Sequence, residues 1–372
     1  MQDLPRKPTA RPDHPQLLAW QTQILEAARQ GQPLALQGGG SKAFYGHPLQ
    51  GSPLDTTTYR GILAYEPTEL VITARCGTPL AEIEATLAER RQMLAWEPPR
   101  YAAGATVGGV VASGLSGPRR MQAGATRDFE LGLRLLDGRG QLLSFGGQVM
   151  KNVAGYDLAR MLTGSLGCYG ILTDLSLKVL PCPRAELSLA FSFDEGSALA
   201  ALNRWAGQPL PISASCWENG VLHLRLSGAE AAVAAAHQRL GGSALAPDAA
   251  DALWASLRDQ SHPFFTPGGQ HLIRLALPDT APPLQTPGAG PVLIEWGGAQ
   301  RWYRGDTALL TQLRSQAQAL GGHATLFRAG PDQAAAPVFT PLAPALLRIH
   351  QSLKQSFDPA GVFNRGRMYQ EL

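Results

Sequence analysis

Apolar positions near the start of the chain recur at helical spacing. Leu17, Leu18, Ile24, Leu25 and Ala28, with Gln21 among them, share one face of a helix predicted from Pro15 to about Gln30, and Gly31 supplies its stop. The short run from Pro33 to Leu36 reads as a strand that feeds three consecutive glycines, and Thr68 to Thr73 reads as another strand. Thr78-Pro79 opens a second helix, with proline at the first position, where no N–H is required. Leu80, Ile83 and Leu87 share its face, and Glu82 and Glu84 near its start with Arg90 and Arg91 near its end complement the helix dipole. Leu131 to Leu136 and Gln141 to Phe145 flank Asp137-Gly138-Arg139-Gly140 and predict a hairpin, with Asp-Gly supplying the positive φ of a tight turn. Between Ile171 and Leu180 the residues alternate, which sends Leu175, Leu177 and Val179 inward and Asp174, Ser176 and Lys178 outward until Pro181 and Pro183 end the strand. Hairpins mixed with strand–turn–helix units predict an α+β fold rather than a doubly wound parallel sheet.

After Pro183 the composition shifts towards Ala and Leu, with a helix predicted near Ala229 to Leu240 ending at Gly241-Gly242 and an exposed loop from Pro278 to Pro291. We therefore expect one domain over 1–183, a second over 184–330, and a final segment, 331–372, carrying a helix from Pro344 to Gln355 and a turn from Phe357 to Gly361. A length of 372 residues accommodates this division. An apolar share of 44%, only 16% charge, and 41 glycines with 29 prolines describe a globular protein with many tight loops. A formal net charge of +3, with no long basic run, gives no basis for a nucleic-acid partner. Cys76, Cys168, Cys182 and Cys216 are scattered without a C-x-x-C pair, so no metal site is expected and the thiols read as reduced, in a cytoplasmic setting. No apolar region follows Met1 to Lys7, and no stretch approaches the ~18 apolar residues of a spanning helix. Membrane contact is expected only peripherally or through a partner.

The chemistry is concentrated in two glycine-rich runs, Gln37-Gly38-Gly39-Gly40-Ser41-Lys42 and Gly104-Ala105-Thr106-Val107-Gly108-Gly109. Removing side chains from a short arc lets successive N–H groups converge on one anion, and two such nests far apart in sequence suit a ligand with two phosphates, such as a dinucleotide. Each run alone also fits a tight turn with no ligand. Neither is a G-x-G-x-x-G opening a helix within one short unit, so the simple Rossmann fingerprint is absent.

Taken in order, Gln37 to Lys42, Glu97-Pro98-Pro99, Ala105 to Gly109, Lys151-Asn152-Val153-Ala154-Gly155-Tyr156-Asp157, Gly164-Ser165-Leu166-Gly167-Cys168-Tyr169-Gly170 and Phe357-Asp358-Pro359-Ala360-Gly361-Val362-Phe363-Asn364 resemble the FAD-binding segments of the vanillyl-alcohol-oxidase, or PCMH-type, flavoproteins. The resemblance covers nearly the whole chain and is strongest over 30–182 and at the carboxyl end. Within that family it points to the FAD-binding subunits of bacterial glycolate oxidases, which work beside a related larger flavoprotein subunit and an iron–sulfur subunit. It implies a PCMH-type FAD-binding domain of two α+β subdomains, an α+β cap, and a carboxyl-terminal segment returning to the FAD domain. Gly38 to Lys42 resemble the first pyrophosphate cradle. Gly104 to Gly109, with Pro99, Ser113 and Gly114, resemble the second. Gly155 and Tyr156, and Gly170 and Ile171, look like elements closing over the adenosine and ribityl portions, and Asn364 resembles a residue near the flavin ring.

Departures from the family are as informative. Relatives that bind FAD covalently carry a histidine in the first glycine loop, where this chain has Ser41-Lys42, so the resemblance implies non-covalent FAD. The His-x-Gly-Asp-Gly-Asn-x-His segment of the hydroxyacid dehydrogenases is missing. Its nearest analogue, Gly322-His323-Ala324-Thr325-Leu326-Phe327-Arg328, keeps one imidazole and one guanidinium. His323 and Arg328 are thus the side-chain candidates for a general base or a substrate carboxylate, against a purely structural reading. Lys151 fits a cation near the cofactor or a surface lysine, and Tyr156 fits a packing ring or a cofactor contact. Trp296, Trp302 and Tyr303 fit either the flavin's open face or the core of the cap, and Arg301, Arg365 and Arg367 also fit partner contacts. The expected function is an FAD-holding subunit that relays electrons from, or completes the site of, the larger flavoprotein subunit in glycolate oxidation. The alternatives are a self-sufficient FAD oxidoreductase and a non-redox assembly subunit.

Overall fold

A computed structural model describes residues 14–147, 157–266, 268–286, 290–330 and 336–372. Its first helix is Pro15–Gln30, stopped by Gly31 at φ 66°. The buried face is Leu17, Trp20, Ile24 and Ala27, while Leu18 is 45% exposed. The apolar stripe is rotated from the one predicted because the Trp20 ring covers more apolar area than Leu18 and takes the inward position. Strand Leu34–Gln37 follows and pairs in parallel with Ser52–Asp55.

A five-stranded antiparallel sheet forms the second layer of this half, in the order Ile62–Glu66, Val71–Arg75, Ile171–Lys178, Glu130–Leu136, Leu142–Gly146. The strand predicted at Thr68 starts at Val71 instead, because residues 67–70 form a turn with Leu70 at φ 57°. Ile171–Lys178 occupies the middle of the sheet and is buried on both faces, so Asp174 and Ser176 do not point to solvent as the alternation suggested. Their polar groups are satisfied inside. Asp174 accepts from Tyr59 Oη at 2.9 Å and Arg134 Nη1 at 3.0 Å, and Ser176 meets Thr73 at 2.9 Å. Helix Leu80–Ala88 buries Leu80, Ile83 and Leu87 as expected, with Pro79 at its cap.

The predicted hairpin is present, with Leu136 opposite Leu142, but its turn works differently. The positive φ, 70°, is at Gly140, and Asp137 Oδ1 accepts from the N–H groups of Arg139 and Gln141 at 2.9 and 2.8 Å. Gly138 is required for a different reason. A Cβ there would lie 2.5 Å from Asp358 Oδ1 and 2.8 Å from Asp358 Cα, because the carboxyl-terminal segment docks on this turn through Gly138 N–H to Phe357 O, 2.8 Å.

That segment is helix Pro344–Phe357 and the residues after it. Phe357, Val362 and Phe363 join the same core as Leu17, Ile24 and Leu34, and Phe363 bridges Leu34 in parallel. Buried Asp358 accepts from the N–H groups of Val362 and Phe363 at 2.9 and 2.8 Å. Lys354 Nζ, 2.8 Å from Asp358 Oδ2, donates to the carbonyls of Cys168 and Phe363, each at 2.7 Å. We expect Gly138→Ala to lower stability by about 1–3 kcal/mol through overpacking at this junction. Urea unfolding measures it, and an unchanged midpoint would show that the segment does not dock here.

From Ala185 onward an eight-stranded antiparallel sheet dominates, in the order Ser243–Ala244, Ala185–Ser192, Val221–Gly228, Ile212–Glu218, Leu293–Glu295, Gln300–Gly305, His271–Ala276, His323–Arg328. Helix Glu195–Ala206 packs through Leu199, Leu202 and Trp205 with Leu222 and Leu224, and helix Thr307–Ala319 packs through Leu310 and Leu313 with Ile273 and Leu275. The helix predicted near Ala229 is Glu230–Leu240. Arg301 is fully buried and donates to Pro282 O at 2.6 Å, to Gly298 O at 3.2 Å and to Ala281 O, pinning the predicted Pro278–Pro291 loop. It is therefore not a surface contact. Trp302 and Tyr303 are likewise core residues. A mixed cluster joins the halves, with Tyr45 and Leu115 from one side and Trp254, Leu272, Trp302 and Phe327 from the other.

Candidate functional site

The strand Leu34–Gln37 delivers the triple glycine to a cleft of about 1000 Å³, its open mouth included. The two glycine loops meet here backbone to backbone. A Cβ on Gly39 would lie 1.4 Å from Gly104 O, and one on Gly38 would lie 2.8 Å from Thr106 Oγ1. Among the described residues, none accepts a hydrogen bond from the N–H groups of Gly39, Gly40 or Ser41. Successive free donors on a side-chain-free arc are what an anionic diphosphate requires, so this part of the chain fits FAD. Apolar walls from Leu36, Ile171 and Leu172 fit its less polar portions.

The second loop is a support as well as a lining. Thr106 caps the short helix Val107–Ser113 by accepting from Gly109 N at 3.3 Å. Gly108 lies against Cys76, where a Cβ would come within 2.6 Å of the Cys76 Cβ, and its N–H is already bonded to Cys76 O at 2.8 Å. Of the residues singled out from sequence, Gly38, Gly39, Gly40, Ser41, Lys42, Thr106, Gly108, Gly109, Ser113, Gly170, Ile171 and Asn364 line the cleft. Gly104, Ala105, Val107 and Gly114 stand behind it: Gly104 abuts Gly39, Ala105 and Val107 are core, and Gly114 ends the helix at φ 62°. Pro99 is buried outside the lining. Lys151, Gly155 and Tyr156 lie outside the described residues.

Asn364 reaches the cleft, but its amide is committed to backbone. Its Oδ1 accepts from Leu36 N at 2.8 Å and its Nδ2 donates to Leu166 O at 2.7 Å, which fixes the glycine-bearing strand against the 164–170 loop. Its φ of 37° and near-complete burial mark it as a clamp that shapes the cleft. Gly167 is needed beside it, since a Cβ there would lie 2.8 Å from Asn364 Nδ2.

Sequence reasoning missed Thr56, Cys76, Gly167 and, as a lining residue, Arg367. Arg367 is buried and donates to Ala43 O at 2.8 Å and to His47 O, so it braces the loop after the glycines rather than a partner. Arg365 is tied to its own segment through the carbonyls of Gly361 and Ala360, and to the end of the first helix through Gly31 O at 3.4 Å. Lys42 lies 5.4 Å from the centre of the Tyr101 ring, and burial pulls its ammonium down to about 8 against the raising field of Asp259.

His323 and Arg328 do not form a pair. They occupy the two ends of the edge strand His323–Arg328, five residues apart, which is about 16 Å along a strand, His323 opposite Ala276 and Arg328 opposite Leu272. His323 is exposed, and neither residue lines the cleft.

A family model described as an FAD binding domain matches residues 19–146. The chain is 50% identical over 350 residues, 94% of its own length and 96% of the other's, to the glycolate oxidase subunit GlcE of Escherichia coli K12. The chain belongs to the glycolate oxidase subunit GlcE family. The matches identify FAD as the cofactor. This GlcE-family chain also shares a part with other proteins. It is 33% identical over 144 residues to D-lactate dehydrogenase of Anaerostipes hadrus, covering 39% of this chain and 30% of that one. It is 36% identical over 95 residues to the glycolate oxidase subunit GlcD of Bacillus subtilis, covering 26% and 20%. Alkyldihydroxyacetonephosphate synthase shares the fold, with a TM-score of 0.63 over 92% of this chain and 74% of the other at 14% identity. The α+β, PCMH-type architecture of the GlcE-family chain is thereby established. Among its described residues no helix is long and apolar enough to cross a membrane, and no group of three potential metal ligands occurs.

Proposed function

We propose that this chain is the FAD-holding subunit of a multi-subunit glycolate oxidase, binding FAD non-covalently in the cleft and relaying electrons to an iron–sulfur partner beside a larger, related flavoprotein subunit. The observation that carries the reading is the free N–H arc of Gly39, Gly40 and Ser41 pressed on the second glycine loop, in a chain half identical to GlcE. FAD held there would supply two-electron chemistry at a carbon bearing a hydroxyl and single-electron transfer onward. This chain's own residues do the rest. Gly39, Gly40 and Ser41 orient the diphosphate through backbone N–H groups, and Ile171 and Leu172 exclude water from the apolar wall. Asn364 keeps the strand and the 164–170 loop at a fixed separation. Ser41 and Lys42 stand where a covalent link would need a histidine.

In this reading 1–183 is the FAD-binding domain, 184–330 the cap and 331–372 the returning segment, and the complex works at the cytoplasmic side with at most peripheral membrane contact. The separation of His323 from Arg328 argues against a self-sufficient catalyst built on that pair. The purified chain should be yellow and release FAD into solution on acid precipitation, and alone it should not oxidise glycolate with an artificial acceptor although the assembled complex does. Flavin retained in the acid pellet would refute non-covalent binding. Substantial turnover by the isolated chain would refute the subunit role.

A further inference from the structure

At Lys42 the cleft wall continues into a seam against the eight-stranded sheet. Phe44, Tyr45, Tyr101 and Phe327 fill it, with ring centres from 5.2 to 6.4 Å apart. Three cations rest on these touching rings. Lys42 Nζ is 5.4 Å from the centre of Tyr101, Arg274 Cζ is 5.2 Å from that of Phe327, and Arg328 Cζ is 4.2 Å from that of Phe44. Among the described residues none of the three has a carboxylate partner: Lys42 reaches Ser41 Oγ at 3.4 Å, Arg274 donates to Tyr45 Oη at 3.0 Å, and Arg328 reaches Gln260 Oε1 at 3.4 Å. The nearest acids are occupied. Asp259 is held by Arg258 at 2.8 Å and by Arg100 N–H at 2.9 Å. The buried Glu295 carboxyl accepts from Trp302 and Gln300 at 2.7 and 3.0 Å, and burial pushes it up to about 7.

A second observation points to a missing acceptor. Arg328 Nε and Gln260 Nε2 are both buried donors without a partner, at the contact between these two side chains, and Gln260 is held there at φ 53°. Buried donors left unmet are costly, as are partly buried cations without a carboxylate in contact. A carboxylate answers both, because each guanidinium presents a fork of N–H groups matched to two oxygens. The surrounding rings restrict the ligand to a small one.

We propose that this seam is a carboxylate subsite for a small α-hydroxy acid, with Arg328, Arg274, Lys42 and Gln260 as its anion-binding groups, so that this subunit binds the organic acid as well as the cofactor. The inference rests on the reading of the chain as a hydroxyacid-oxidase subunit and makes Arg274, from the neighbouring strand, the partner of Arg328 in place of His323.

The test is calorimetric titration of the purified full chain with oxalate, glycolate and inorganic phosphate, with the FAD-to-protein ratio recorded for each preparation. Oxalate and glycolate should bind to one site that phosphate does not occupy. Arg274→Gln and Arg328→Gln should each weaken oxalate at least tenfold, and Gln260→Leu, which keeps both charges, should weaken it severalfold, all with an unchanged FAD ratio. No oxalate binding by the unaltered chain, equal affinity in the variants, or equal binding of phosphate would overturn the subsite. A chain that lacks FAD yet binds oxalate would overturn the flavin role and support the subsite.

Discussion

Gly39→Ala is expected to abolish flavin binding. The added methyl would sit 1.4 Å from Gly104 O and 2.4 Å from its carbonyl carbon, and both obstacles are backbone, with no rotamer to move aside. The two glycine loops must therefore separate. That moves the Gly39–Ser41 N–H arc away from the second loop and opens the cleft at the point where we place the diphosphate. Overpacking of this kind costs about 1–3 kcal/mol, and the rigid obstacle places it at the upper end. Gly40→Ala is the informative contrast. Gly40 has φ 70° with open space around it, so alanine there meets only the left-handed backbone penalty of about 1–2 kcal/mol and should keep FAD with weakened affinity. The ratio of flavin to protein absorbance after gel filtration, together with urea unfolding, separates the two variants. Stoichiometric FAD in Gly39→Ala would show that the junction of the loops does not govern the site.

Those glycines were legible in the sequence because their effect is local: removing side chains from an arc exposes its N–H groups whatever surrounds it. The residues that brace the arc were not legible. Arg367 enters the cleft wall through carbonyls more than three hundred residues away, Ala43 and His47, and an isolated arginine near the end of a chain carries no sign of that. Asn364 was found as a cleft residue while its work was missed, since a sequence names an amide without naming the two backbones it joins. Gly138 looked like a turn glycine and proved to be a landing place for Asp358. The alternation from Ile171 to Lys178 placed Asp174 and Ser176 in water because period-two burial assumes one solvated face, and a central strand has none. His323 and Arg328 attracted notice by being close in sequence, but an extended strand rises about 3.3 Å per residue, so a separation of five residues puts the two side chains at opposite ends of its length.

Glu97→Gln should loosen the joint between the halves and remove an acid-sensitive part of the stability. Glu97, held at φ 50°, accepts from Arg119 N at 2.8 Å and Nε at 3.3 Å, and from Arg225 Nη2 at 2.9 and 3.0 Å. Arg119 continues to Glu186 at 2.6 Å and Arg225 to Ser213 Oγ at 3.0 Å, so one carboxylate ties the glycine-loop half to two strands of the eight-stranded sheet. The amide keeps the shape but not the charge. It leaves Arg225 without a charged hydrogen-bond partner, with Ser213 Oγ and the Trp254 ring beside it, a loss of about 3 kcal/mol, the low end for a broken buried pair because the carboxylate retains some solvent contact. Burial pushes the Glu97 carboxyl up, but Arg225 and Arg119 together pull it below the usual carboxylate range. In the folded state it therefore releases its proton at a lower pH than in the unfolded chain, where the value is about 4.3. Between the two values the unfolded chain binds more protons, so stability rises with pH there, is complete above the unfolded value, and is lost as pH falls through the folded one. Urea unfolding from pH 7 to pH 3 should consequently show the gap between the unaltered chain and Glu97→Gln at its widest near neutrality and narrowing in acid. A gap that stays constant would mean that the carboxylate contributes through its shape alone and that the two arginines do not depend on its charge.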